Sequence, residues 1–250
     1  LKVLSMKHVQ FIFAVCLFSL LFFNACRKKD EIIKTVDLTD DEVADVIEAS
    51  LKTSTVGLSA NIDDIAIWLA EGSGKTEATN EWTCNYMGDS TLNKSGSLFN
   101  TTYNYSLDYG YEVSCSNVPP IPNTFIVDCN TNGTYSNSRI ESDDNSVGVF
   151  TITELLNPNS DYLLDGILTR TGSESHKTRN ISFGSICTAT LIDVAIDKTT
   201  YVINGGSAAV TLTAKNDAEI KNYTASVNFS GEGVAVVTIN NQEYTIHLNQ

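Results

Sequence analysis

Positive charge is scarce in this chain. Its 250 residues carry 16 Lys and Arg against 30 Asp and Glu, a formal net charge of −14. Without a basic block the chain lacks the footprint of a nucleic-acid binder. It also lacks the charge needed to bind an anionic lipid surface. Histidine is rarer still, at 3 residues. Beyond the first 26 positions only His176 and His247 occur, and neither sits in a motif. Gly-x-Ser-x-Gly, His-Glu-x-x-His and a Cys–His pair of recognisable spacing are all missing. Gly72-Ser73-Gly74-Lys75-Thr76 imitates a phosphate loop, but Leu69 stands where that motif needs Gly, and a helix precedes it instead of a strand. It is read as a linker. The cysteines are too widely spaced for a zinc knuckle and have no His beside them. The expectation is a protein without catalytic residues, metal or cofactor. A carbohydrate-active enzyme stays open as an alternative, because its paired carboxylates are brought together by the fold and leave no sequence spacing.

Long apolar runs are limited to one. Val9–Phe23 is interrupted only by Gln10 and Ser19, follows Lys2, Lys7 and His8, and leads into Asn24-Ala25-Cys26. A cationic flank, a short apolar core and a small residue before the cleavage point make an export signal. The run has 15 residues, short of the roughly 20 a spanning helix needs. Phe23-Asn24-Ala25-Cys26 resembles the lipobox of bacterial lipoproteins, although Leu and Ala or Ser are usual at the first two places. That resemblance implies that Cys26 is acylated and holds the protein on a membrane. Several acyl chains make such anchoring stable where one is marginal. Cys16, inside the run, is a poorer candidate. Arg27-Lys28-Lys29-Asp30-Glu31 is similar to the charged tags of Bacteroidota surface lipoproteins, and reads equally as a solvated tether.

Four further cysteines remain: Cys84, Cys115, Cys129 and Cys187. An even number in an exported chain suggests disulfides. The favoured pairing is Cys84–Cys115 with Cys129–Cys187; free buried thiols are the alternative.

The chain is expected to divide into a signal peptide (1–25), a tether (26–38), a helical segment (39–72) and an antiparallel β domain (81–250). Thr39-Asp40-Asp41-Glu42 is a capping box with acidic residues suited to the helix dipole. Val43, Ile47, Leu51, Leu58, Ile62, Ile65 and Leu69 follow helical spacing. This predicts helices at 40–53 and 59–71 that pack on a sheet. From Glu81 the period becomes two. Thr101–Cys115 is the clearest strand, with Tyr103, Tyr105, Leu107, Tyr109, Tyr111, Val113 and Cys115 on one face. Its four tyrosines form either a cross-strand core or a ligand face. Further strands are read at Thr124–Cys129, Val147–Ile152, Tyr162–Arg170, Ile181–Ile196, Ala208–Ala214, Tyr223–Phe229, Val234–Ile239 and Tyr244–Leu248. Asp128–Gly133 matches half a calcium loop, but Asn132-Gly133 is a strong hairpin turn and is read so. Asp143–Ser146 is read as a solvated acidic loop, and His176 is placed in a loop over Gly172–Asn180. Asp89-Ser90-Thr91 resembles an O-glycosylation acceptor or is a turn. With no second helical block, the sheet should be antiparallel, as an open half-barrel or a sandwich.

Across 82–248, three features resemble uncharacterised Bacteroidota outer-membrane or surface lipoproteins. They are the Tyr-rich strand ending in Cys115, the Asp161–Gly166 strand running into Arg170–Ser173, and the closing Val236–Asn240 hairpin into Tyr244–Ile246. The resemblance implies a cell-envelope location and no known activity. The expected role is non-catalytic binding or structure. A carrier of an apolar ligand or lipid in a half-barrel is the second alternative.

Overall fold

The computed structural model describes residues 36–71, 83–116 and 120–250. The signal, Cys26, most of the tether, Gly72–Thr76 and Trp82 lie outside the described residues. Helix α1 (Asp40–Leu51) starts on the predicted capping box: the Thr39 amide donates to Glu42 Oε2 at 2.9 Å, and the Glu42 amide donates to Thr39 Oγ1 at 3.3 Å. A 3₁₀ turn at Thr53–Thr55 follows, and Val56 reverses the chain at φ +53°. Helix α2 (Leu58–Glu71) then begins. The break falls at Gly57, where a Cβ would lie 2.6 Å from the Ser50 carbonyl. Only glycine lets the two helices come this close.

Ten antiparallel strands follow: β1 (Met87–Leu98), β2 (Thr101–Cys115), β3 (Pro122–Ser136), β4 (Ile140–Thr153), β5 (Tyr162–His176), β6 (Ile181–Ile196), β7 (Ile203–Lys215), β8 (Ile220–Gly231), β9 (Val234–Ile239) and β10 (Gln242–His247). Each pairs with its sequence neighbours, so the sheet is a meander with β1 and β10 at its edges. Laid flat, ten strands would span about 43 Å. Yet side chains from both edges reach the same two helices. Lys94 on β1 and Tyr109 on β2 meet Asp64, while Tyr244 on β10 donates to Asp41. The sheet is therefore curled into an open half-barrel around the helices.

This geometry changes the helix–sheet relation. A helix resting on a sheet buries one face. Here α1 is buried nearly all round, including Glu42, Asp45 and Ser50. Val36 and Leu38 are buried as well, and the Leu38 amide donates to the Tyr223 hydroxyl at 2.8 Å. The last residues of the expected tether thus belong to the packed domain.

Several strands are longer than expected. Asn132-Gly133 is not a turn. Gly133 pairs with Tyr105 on one side and Asp144 on the other, in the middle of β3. The calcium-loop alternative fails with it, because an extended strand cannot wrap a cation. The glycine serves a close approach: a Cβ there would sit 2.1 Å from the Asn104 carbonyl oxygen and 2.6 Å from the Tyr105 ring. The real hairpin is at Asn137–Arg139, where Asn137 Oδ1 accepts from the amides of Arg139 and Ile140. Likewise Asp143–Ser146 lies within β4, with Asp144 and Ser146 buried, and His176 closes β5 as a buried side chain. Ile181–Ile196 is one strand, bent where Asp193 takes φ +48°. β1 escaped the sequence reading because Ser, Gly, Asn and Lys leave its alternation without apolar contrast. It contains Asp89-Ser90-Thr91, which is strand and not turn.

Cys84 and Cys115 form a disulfide, clipping the segment before β1 to the end of β2. The second expected bridge does not form. Cys129 and Cys187 are free and buried, on β3 and β6, with β4 and β5 between them and two residues out of register. Burial raises their thiols to about 12 and about 11 respectively. Gly133→Ala should lower stability by about 1–3 kcal/mol through overpacking. A urea midpoint equal to wild type would show that the β2 backbone at Asn104 and Tyr105, as well as the Tyr105 ring, gives way without cost.

Candidate functional site

The tyrosine face of β2 points inward. Tyr105 and Tyr109 are buried, while Tyr103 and Tyr111 are partly buried against the core. The Tyr109 hydroxyl lies 2.9 Å from Asn61 Oδ1 and 2.8 Å from Asp64 Oδ2 on α2. Trp68 of α2 stacks on Tyr111 at 5.4 Å and meets Tyr109 edge-on at 4.7 Å. Tyr111 also stacks on Phe125. The helices thus occupy the space in front of these rings.

The polar centre of the concave face is Arg170. Its strand, β5, alternates Leu168, Arg170, Gly172, Glu174 and His176 toward the helices. Arg170 is 4 % exposed. Nη1 donates to the Ala49 carbonyl at 2.5 Å. Nη2 donates to Asp144 Oδ2 at 2.8 Å and to the Tyr105 hydroxyl at 2.6 Å. The guanidinium also lies 4.9 Å from the Tyr135 ring centre. Ala49 is in the last turn of α1, whose carbonyls run out of helical N–H donors; its carbonyl also accepts from Thr55 Oγ1 at 2.6 Å. That turn contains no basic residue of its own. Arg170 therefore supplies from the sheet the cation that the negative end of the helix favours.

Glu174 stands beside it, accepting from Ser185 Oγ at 2.9 Å and from the Tyr135 hydroxyl at 3.5 Å. Burial raises its carboxyl to about 7, against the pull of Arg170. Gly172 makes room, since a Cβ there would lie 2.8 Å from Glu174 Oε1. One turn of α1 away, His176 Nε2 is 2.8 Å from Asp45 Oδ2, which also pairs with Arg139 at 3.0 Å. Burial raises Asp45, while Arg139 and His176 oppose the shift. Glu42 is also penalised by burial, but the Thr39 amide and Arg179 outweigh this and hold it below its usual value.

Chemically, these groups are turned on one another. Asp144 and Arg170 are buried beneath α1, and the network ties that helix to the sheet. Among the described residues, no cluster of His, Cys, Asp or Glu is placed to hold a metal ion. No family model, curated protein or solved structure matches the chain.

Arg170, Glu174 and the buried state of Asp144 were missed from sequence. One signal was available: alternation continues through Ile140, Ser142, Asp144, Ser146, Gly148, Phe150 and Ile152, which puts polar and apolar residues on one inner face. Reading polar positions as solvent broke the strand there.

Two outcomes are expected. Arg170→Met should cost about 3–5 kcal/mol because it leaves Asp144 buried and unpaired, whereas the double change Arg170→Met with Asp144→Leu should recover much of that loss. Chemical denaturation of both variants checks this; equal losses would contradict it. The second concerns pH. Glu174 has a folded value near 7 against a usual 4.5, so the native state holds the proton more tightly. Its contribution is full below pH 4.5 and disappears as pH rises toward 7. Glu174→Gln should flatten the decline of stability across that window, measured by urea midpoints at several pH values.

Proposed function

We propose that this chain is an envelope lipoprotein of the Bacteroidota type, anchored through acylated Cys26, whose half-barrel serves a non-catalytic binding or structural role. The observation that supports this best is the Cys84–Cys115 disulfide. Structural disulfides persist in oxidising compartments outside the cytosol, in keeping with the export signal that precedes Cys26. The membrane contact is then made by the lipid on Cys26.

The filled concave face favours recognition on the outside of the domain. Ile47, Leu51, Leu58, Ile62 and Ile65 occupy the hollow of the sheet, each at or below 1 % exposure. The alternative of a carrier for an apolar ligand needs that volume free, so it draws less support. Replacing Cys26 with Ala should abolish incorporation of labelled palmitate and move the protein from the membrane to the soluble fraction. Unchanged fractionation would sink the anchoring reading.

A further inference from the structure

One surface cleft differs from the shallow depressions on the outer face of the sheet. It lies at the C-terminal end of α1, between the tips of the β1–β2 and β3–β4 hairpins, and encloses about 190 Å³. Asp45, Glu48 and Lys52 line it from the α1 side, Arg139 from the β3–β4 tip, and Phe99 and Asn100 from the β1–β2 tip.

The β1–β2 turn is unusual. Phe99 and Asn100 both take left-handed conformations, at φ +47° and +65°. Two-residue hairpin turns of this kind favour Asn and Gly. A bulky residue at positive φ is an outlier, and such strain gathers at functional sites. Phe99 is also 61 % exposed. A better turn residue would fold more easily and would hide no less surface.

The charges of the cleft cancel. Arg139 pairs with Asp45 at 3.0 Å and Lys52 with Glu48 at 2.7 Å. An ionic ligand would meet no net charge, and an anion would also face the chain's overall −14. Ion pairs at a rim still offer spare donors and acceptors, and Arg139 is half exposed. What fits is a neutral molecule with hydroxyls around its edge and a C–H face for the Phe99 ring. The volume corresponds to about six water molecules, room for one ring and not for a chain.

We propose that this cleft binds a single neutral sugar ring, a monosaccharide or the end of a glycan, with Phe99 as its stacking platform. The proposal rests on the binding role proposed above and names its ligand class. The test is saturation-transfer NMR on the full chain in detergent. The probes are methyl mannopyranoside, methyl galactopyranoside and methyl N-acetylglucosaminide at millimolar concentration. Transfer to the ring protons of at least one glycoside is expected. Phe99→Gly should weaken it at least tenfold while keeping or raising the unfolding midpoint, because Gly relieves the left-handed strain. No transfer from any probe, or equal binding by Phe99→Gly, overturns the proposal. Neither result depends on Cys26, so loss of the anchoring reading leaves this test unchanged.

Discussion

The hold of Arg170 on the end of α1 is the contact on which the rest of the structure depends. A half-barrel of ten strands leaves a hollow that must be filled. The two helices fill it, and most of their bonding to the sheet is non-directional packing. Arg170 adds direction. It ties one particular carbonyl, that of Ala49, to one particular strand. Asp144 and Tyr105 hold the guanidinium in place from β4 and β2. Together with the Tyr109 contact to α2 and the His176 contact to α1, this buried group sets where the helices sit in the sheet. Burying this ion pair is not a gain in stability over an apolar core. Its use is to select one seating of the helices among many that greasy surfaces would allow.

Glycines and tyrosines shape the sheet around that centre. Gly133 lets the Tyr105 ring cross β3 and reach Asp144. Gly88 does the same at the edge, where a Cβ would strike the Tyr111 ring at 2.5 Å. Long side chains from one strand thus lie over small residues of the next. The inner surface can then close on the helices without voids, as native packing density requires. The second charged cluster, around Asp45 and His176, secures the middle of α1 to the β3–β4 tip and to the end of β5. It also forms one side of the Phe99 cleft.

The functional picture follows from which surfaces are left. The interior is committed to holding the helices, and its titratable groups face each other. On the exterior, the Phe99–Asn100 turn keeps an exposed aromatic in a strained conformation, and this is the surface proposed above for recognition.

Much of the fold was legible in local pattern. The capping box at Thr39–Glu42, the two helices, strand β2 and the Asn240-Asn241 turn follow from spacing and turn chemistry that act over a few residues. Cys84–Cys115 was also within reach, since the expectation of export together with an even cysteine count invites pairing. What failed shares one cause. Asp128–Gly133, Asp143–Ser146 and the Gly172–Asn180 stretch look like loops because they are polar or contain Gly, yet each lies wholly or partly in a strand. Locally they carry the signs of solvent and turns. Only the facing strands and the end of α1 provide the partners that make a buried Arg170, Asp144, Glu174 or His176 tolerable. Those partners lie from 11 to 131 residues away, beyond any local period. The same holds for Cys129 and Cys187, whose separation depends on strand order. The sequence by itself determined the alternation and the caps, because these are short-range. The tertiary structure decided which polar residues are inside, because burial of charge depends on partners that only the closed sheet brings together.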